Sequence, residues 1–227
     1  QYCERKFLQD TKWVVLRHDI DKKAKNALQF AKIEHSLGVK ASYYFRIFPN
    51  SNQPEIIKQI VALGHEIGYH YEDLNLCKGD TKKAIEHFKT WLDYFRKFYP
   101  VKTICMHGSP HCKLDNKDLW VGYDYKNFNI IGEPYFDTDF NSVFYLTDTG
   151  RCWNGEKFSV RDKVKTPFTE KYHTTKEIIS AIKSNKIPTK LLITTHPQRW
   201  TNNLIEWSIE LCSQYLKNLI KRYFVKQ

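Results

Sequence analysis

The sequence predicts an α/β fold built on a largely parallel sheet, open or closed into a barrel. Strand-like apolar runs alternate with segments of helical periodicity along the whole chain. No Gly/Ser-rich, Pro-rich or low-complexity linker interrupts them, which predicts one domain over residues 1–227. Five of the strand-like runs end in a titratable side chain, as expected where parallel strands open on a common face.

The first run is Trp13 to Leu16 in "WVVLRHDID", followed at once by Arg17, His18, Asp19 and Asp21. Ala24, Ala27, Leu28, Ala31 and Leu37 then recur at helical spacing, and Gly38 supplies a stop. "VKASYYF" alternates as a strand. Pro54 opens a helix with Ile56, Ile57, Ile60 and Val61 as its apolar stripe, and Gly64 ends it. "HEIGYH" reads as a short strand, and Asp80 caps a helix whose stripe is Ala84, Ile85, Phe88, Trp91, Leu92 and Phe95. Further strands are expected at 103–106, 128–131 and 143–146. Thr174 and Glu177 form a capping box ahead of Ile178, Ile179 and Ile182, and "KLLITTH" is the last strand before a long C-terminal helix.

Composition narrows the function classes. The chain has 227 residues, 41% hydrophobic and 15% aromatic, enough for a full core. No apolar run approaches the roughly 18–20 residues that span a bilayer, and "QYCERKFLQD" lacks the apolar core of a signal peptide. Lys and Arg outnumber Asp and Glu by 36 to 25, a formal charge of +11. These charges fall on helix exteriors without the basic, aromatic-interleaved stripe of a nucleic-acid binder, so no specific nucleic acid is expected. The six cysteines form no C-x-x-C pair and read as reduced thiols of a cytoplasmic protein.

The titratable residues at the strand ends carry the chemistry. Asp19 and Asp21 follow the first strand, His70 and Glu72 follow "EIGY", His107 follows "TICM", Asp148 follows "FYLT" and His196 follows "LLITT". Carboxylates and imidazoles at one mouth suit a divalent metal, zinc first, with cobalt, nickel or manganese as alternatives. A metal that acidifies water, a spare carboxylate as base and a His as acid together hydrolyse amides.

"LRHDID", "GHEIGYHYED", "CMHGSP" and "LLITTHPQRW", in that order from Leu16 to Trp200, resemble the polysaccharide deacetylase (NodB-homology) superfamily. The branch it is most similar to has an H-D-[IV]-D first motif and is associated with surface-polysaccharide biosynthesis. The resemblance implies a distorted (β/α) barrel of about seven mainly parallel strands, and a metal-dependent hydrolase that removes an N-acyl group from an amino sugar.

Residue by residue it implies Asp19 as catalytic base, His196 as general acid, and Asp21 with His70 as metal ligands. The family's second motif carries another His four positions after the first, where this chain has Leu74. Glu72 is the expected substitute, since period-2 spacing aims it the same way as His70, with His107 or Asp73 as alternatives. His107, Asp148, Arg151 and Trp153 are expected to bind substrate, with Asp148, Arg151 and Trp153 orienting the acid and walling the pocket. His65 is expected to be structural. The missing His also admits a second reading, a catalytically degenerate carbohydrate-binding protein on the same fold.

Overall fold

The computed structural model describes residues 1–4, 12–108, 112–153 and 162–224. Six strands form a single all-parallel sheet: β1 (Trp13–Ile20), β2 (Ser42–Phe45), β3 (Glu66–Tyr71), β4 (Ile104–Met106), β5 (Phe144–Thr147) and β6 (Lys190–Thr195). Their spatial order is β4-β3-β2-β1-β6-β5, with β1 at the centre and β4 and β5 at the edges.

About seven strands were expected; the described residues form six. The stretch 128–131 is not a strand; a 3-10 turn, Tyr125–Phe128, ends at Asn129 in the left-handed region (φ 57°), and one isolated bridge, Thr103 to Gly132, is what remains of the pairing. The segment beyond it crosses the open side of the sheet instead. Helix α5 (Pro134–Asp137) sets Tyr135 beside the Arg17 guanidinium, 5.1 Å from the ring centroid, and the Tyr135 hydroxyl donates to Asp162 at 3.0 Å.

The other helices are α1 (Ala24–Ser36), α2 (Pro54–Ala62), α3 (Asp73–Leu76), α4 (Thr81–Arg96), α6 (Thr175–Lys183) and α7 (Leu204–Phe224). Local chemistry starts three of them as expected. Pro54 is the first residue of α2, Asp80 accepts from the Lys83 amide at α4, and both hydrogen bonds of the Thr174/Glu177 capping box form at α6. Ala84, Phe88, Leu92 and Phe95 bury one side of α4 against Tyr69 and Tyr71 of β3. Helix α7 is unlike the rest: over 204–220 its buried residues are Glu210 and Gln214, whereas Leu204, Ile205, Ile209 and Leu216 are exposed.

Strand alternation divides the protein into two interiors. Outward residues of the sheet (Ile20, Tyr43, Phe45, Ile67, Tyr69, Ile104 and Met106) join the helices in the main apolar core. The opposite face carries Arg17, Asp19, Ser42, Tyr44, Glu66, His70 and Cys105, all buried. Gly68 lies on this face because Tyr44 crosses over it; a Cβ there would sit 2.4 Å from the Tyr44 ring. With that space clear, the Tyr44 hydroxyl reaches Thr103 at 2.9 Å.

At the end of this interior where the strands begin, Glu66 accepts from the hydroxyls of Ser42 and Thr103, both at 2.5 Å, and from the Cys3 amide at 3.0 Å. Tyr2 packs beside it against Val15, Phe140 and Leu192. That end is therefore filled, and the opposite end carries the remaining titratable groups.

Candidate metal centre

Parity along the strands builds the site. Arg17, Asp19 and Asp21 share one face of β1 and its extension; His70 and Glu72 share one face of β3; His107 follows Cys105 by two, just past β4. His196 and Asp148 are the first residues after β6 and β5. All arrive at the C-terminal edge of a parallel sheet.

The first strand was expected to stop near Leu16, with the charged residues beyond it. It runs to Ile20, because each charged group meets a partner inside the sheet. Arg17 donates to both oxygens of Asp19, Nε to Oδ1 at 2.9 Å and Nη2 to Oδ2 at 2.5 Å. His18, on the other face, pairs with Glu34 at 2.8 Å and Thr195 at 2.6 Å.

Asp21, His70 and His107 form the strongest constellation. The Asp21 Oδ1 atom is buried and lacks any hydrogen-bond donor among the described residues, a state that costs about 1–3 kcal/mol. Its neighbours are His107 Nε2 at 3.5 Å and His70 Nε2 at 3.7 Å. The Nδ1 of His70 lies 2.9 Å from the Cys105 carbonyl, which only accepts, so Nδ1 carries the hydrogen and Nε2 a lone pair. The Nδ1 of His107 faces the Glu72 carboxylate at 3.1 Å, which fixes the same tautomer.

Three lone pairs thus converge with no proton between them. Two donors bound to one tetrahedral ion at about 2.0–2.1 Å lie roughly 3.3 Å apart, within a few tenths of the spacing here. Burial pushes the His70 pKa down to about 4, partly opposed by Asp19, so its imidazole is neutral near pH 7 and suited to ligation. Burial tends to raise the Asp21 carboxyl, but His107, His196 and His70 outweigh it and hold the group well below the usual range. These residues fit a divalent cation. Asp19, His70 and Cys105 also lie close together, but burial keeps the Cys105 thiol protonated and it points to the Met106 carbonyl at 3.6 Å, which makes it a poor ligand.

The structure does not bring Glu72 into the ligand group. One of its oxygens accepts from Arg46 at 2.5 Å and the other faces His107. These contacts overcome the effect of burial and lower its pKa to about 2. Glu72 thus stands behind His107, and His107, one of the expected alternatives to it, turns its Nε2 toward Asp21. Asp73 is turned away, accepting from the Tyr69 hydroxyl and lying 2.5 Å from His87 Nδ1. Leu74 is buried in the apolar core.

Asp19 and His196 flank this group from two sides. Asp19 Oδ2 stands 3.8 Å from His70 Nε2; burial opposes its charge, but Arg17 prevails and the carboxyl stays ionised. His196 Nε2 lies 4.0 Å from Asp21 Oδ2, and its Nδ1 is 2.6 Å from Asp148. Burial and Arg199 pull the His196 pKa down, while Asp148 and Asp21 push it up more strongly, leaving it raised. Asp148 also accepts from the His196 amide at 3.1 Å, Trp200 Nε1 at 2.8 Å and Arg199 at 2.7 Å.

Arg151 and Trp153 lie outside this group. Arg151 bonds to Glu210, and Trp153 Nε1 donates to Thr175 at 3.0 Å. His65 is structural as expected, accepting from the Ala41 amide and donating to the Ala31 carbonyl. Sequence reasoning gave no role to Arg46, Gln198 or Arg199. Arg46 was findable, since it follows Ser42 and Tyr44 at period 2. Gln198 donates to Asp21 Oδ2 at 2.9 Å from a 3-10 turn, where strand parity gives no guide. Ser109, Pro110 and His111, in and next to the "CMHGSP" motif, lie outside the described residues.

No protein-family model and no curated protein matches this sequence. Among solved structures, the chain is similar to a CE4 family pseudoenzyme from Bacillus anthracis, with 13% identity, a TM-score of 0.49, and coverage of 94% of this chain and 63% of that one. It is also similar to a family 4 carbohydrate esterase from Bacillus anthracis (13% identity, TM-score 0.47, 95% and 81% coverage). A third is the Xyl-CE4 domain of a multidomain xylanase from the hindgut metagenome of Trinervitermes trinervoides (13% identity, TM-score 0.45, 94% and 85% coverage). The chain spans less than two thirds of the length of the pseudoenzyme chain.

Proposed function

We propose that this protein is a divalent-metal-dependent hydrolase that removes an N-acyl group, acetyl in the simplest case, from an amino sugar. The observation that carries the proposal is the convergence of Asp21 Oδ1, His70 Nε2 and His107 Nε2, each with a free lone pair, between an ionised Asp19 and the His196–Asp148 pair. The motifs that resemble polysaccharide deacetylases supply the substrate class.

Asp21, His70 and His107 would hold the ion, zinc first. When bound, such an ion supplies Lewis acidity, which polarises an acyl carbonyl and brings the pKa of water toward about 7. Asp19 accepts the proton of the attacking water; Arg17 keeps it ionised and fixes its two oxygens. His196, its Nδ1 held by Asp148, presents Nε2 to the departing amine nitrogen and gives it a proton as the C–N bond breaks. The products are a carboxylate and a free amino sugar.

A place in surface-polysaccharide biosynthesis and a cytoplasmic location belong to the same proposal. No helix among the described residues is long and apolar enough to cross a membrane. The test is acetate release from acetylated amino sugars by zinc-loaded protein. Asp19→Asn is expected to lose roughly 10²–10⁴-fold in rate while retaining the ion; normal turnover by that variant removes Asp19 as base.

Burial of Leu74 where the resembled family has its second His favours one alternative, a degenerate carbohydrate binder. That alternative predicts no bound transition metal after loading with zinc, cobalt or nickel, as read by elemental analysis.

A further inference from the structure

Helix α7 is built inside out. Glu206, Glu210, Gln214 and Asn218 recur every four residues and form the side that faces the protein. Glu206 pairs with Lys23 at 3.1 Å, Glu210 bonds to Arg151, and Asn218 accepts from Gln214 at 2.7 Å and donates to the Gly150 carbonyl at 2.9 Å. A helix lying on a globular protein ordinarily turns its apolar stripe inward and its polar one to water. Here the polar stripe holds α7 to the turns after β1 and β5, and the apolar residues point away.

The outward stripe has the spacing of a helix-pairing seam. Ile205, Ile209, Cys212, Leu216 and Leu219 follow one another at intervals of four, three, four and three residues, the heptad rhythm by which two helices interlock. The first four are exposed, and Leu204, Tyr215 and Ile220 widen the patch beside them. Ile205 is 73% exposed, Ile209 65% and Leu216 59%. The patch offers on the order of 700 Å², above the roughly 300–600 Å² of the largest patch on a typical monomer and close to the roughly 800 Å² that each partner buries in a stable interface.

Two further features select a second copy of the same helix as what covers it. The seam complements itself: in an antiparallel pair whose two-fold axis passes between Ile209 and Cys212, each Ile205 meets Leu216 of the second copy and each Ile209 meets its Cys212. Charge selects that direction. Glu206 lies near the start of α7 and the exposed Lys217 toward its end, so antiparallel copies set opposite charges on the same flank, whereas parallel copies set Glu206 against Glu206 and Lys217 against Lys217.

We propose that the outward face of α7 is a dimer interface, on which a second copy of this chain lays its own α7 antiparallel. The inference stands apart from the hydrolase reading and needs neither metal nor turnover.

The test is sedimentation equilibrium of the full chain, with cross-linking by a short bismaleimide. A dimer is expected at micromolar concentration, joined through Cys212, the exposed one of the six cysteines, with the cross-link lost in Cys212→Ser. Ile209→Glu and Leu216→Glu change outward side chains and are expected to keep the wild-type circular dichroism while raising the dimer dissociation constant at least 100-fold. A monomer at every concentration, including one that instead binds vesicles of phosphatidylglycerol, overturns the proposal. So does a dimer that both glutamate variants leave intact, or one that the bismaleimide fails to join through Cys212.

Discussion

Two carboxylates at opposite ends of the same polar interior have opposite fates. Glu66 is fully buried and satisfied by protein, accepting from Ser42, Thr103 and the Cys3 amide. Asp21 has one oxygen bonded to Gln198 and the other, buried, with no donor among the described residues and two imidazole lone pairs facing it. A buried carboxylate left incomplete by its own chain is costly, whereas a complete one supports the fold. The difference separates the end of the interior that the chain's own donors complete from the end where the proposed metal site lies.

Exchanging each carboxylate for alanine is the sharpest way to break this comparison. Asp21→Ala is expected to abolish tight zinc binding and lower acyl release by at least about 10³-fold, several kcal/mol of lost Lewis-acid stabilisation, while the apo protein melts no lower than the wild type. Glu66→Ala is expected to do the reverse. It strands two buried hydroxyls, at about 1–3 kcal/mol each, and the half-buried Cys3 amide, so the melting temperature falls while any soluble protein still binds zinc. Calorimetry and elemental analysis on both variants check the pair.

A smaller effect separates ligands from the groups that orient them. Glu72→Gln leaves His107 in place but weakens the acceptor that fixes its tautomer, so zinc affinity is expected to fall about 10–100-fold, read by chelator competition. A complete loss of zinc would make Glu72 a ligand after all.

The smallest effect concerns Asp148. Burial disfavours its charge, but Arg199 and His196 prevail and lower its pKa to about 2, below the usual value near 3.9. A carboxyl depressed in the folded state contributes stability that is present above its unfolded pKa and lost as pH falls toward the folded one. The melting-temperature gap between wild type and Asp148→Asn is therefore expected to be widest above pH 5 and to close between about pH 4 and pH 2. A gap independent of pH contradicts the ion-paired role.

Much of the architecture was legible in the sequence, and the exceptions have physical causes. Short apolar or alternating runs located all six strands, and capping residues located α4 and α6. The length of β1 was hidden because its last four residues include Arg17, His18 and Asp19, whose mutual pairing and cross-strand partners no linear pattern reveals. The segment 128–131 is apolar enough for a strand but closes with a left-handed Asn129. At the site, Asp21 and His70 were findable from strand ends and parity. The placement of Glu72 behind His107 was not, because both satisfy parity; what separates them is Arg46, the residue after β2, which takes up one of Glu72's two oxygens.

The central claim is that Asp21, His70 and His107 hold one divalent ion while Glu72 stands behind His107. Anomalous diffraction at the zinc edge, from crystals of the zinc-loaded protein, tests it most directly. The account predicts one peak about 2.0–2.2 Å from Asp21 Oδ1, His70 Nε2 and His107 Nε2, with Glu72 bonded to Arg46 and the back of His107. A peak coordinated by Glu72 in place of His107, or no peak between these residues, contradicts it.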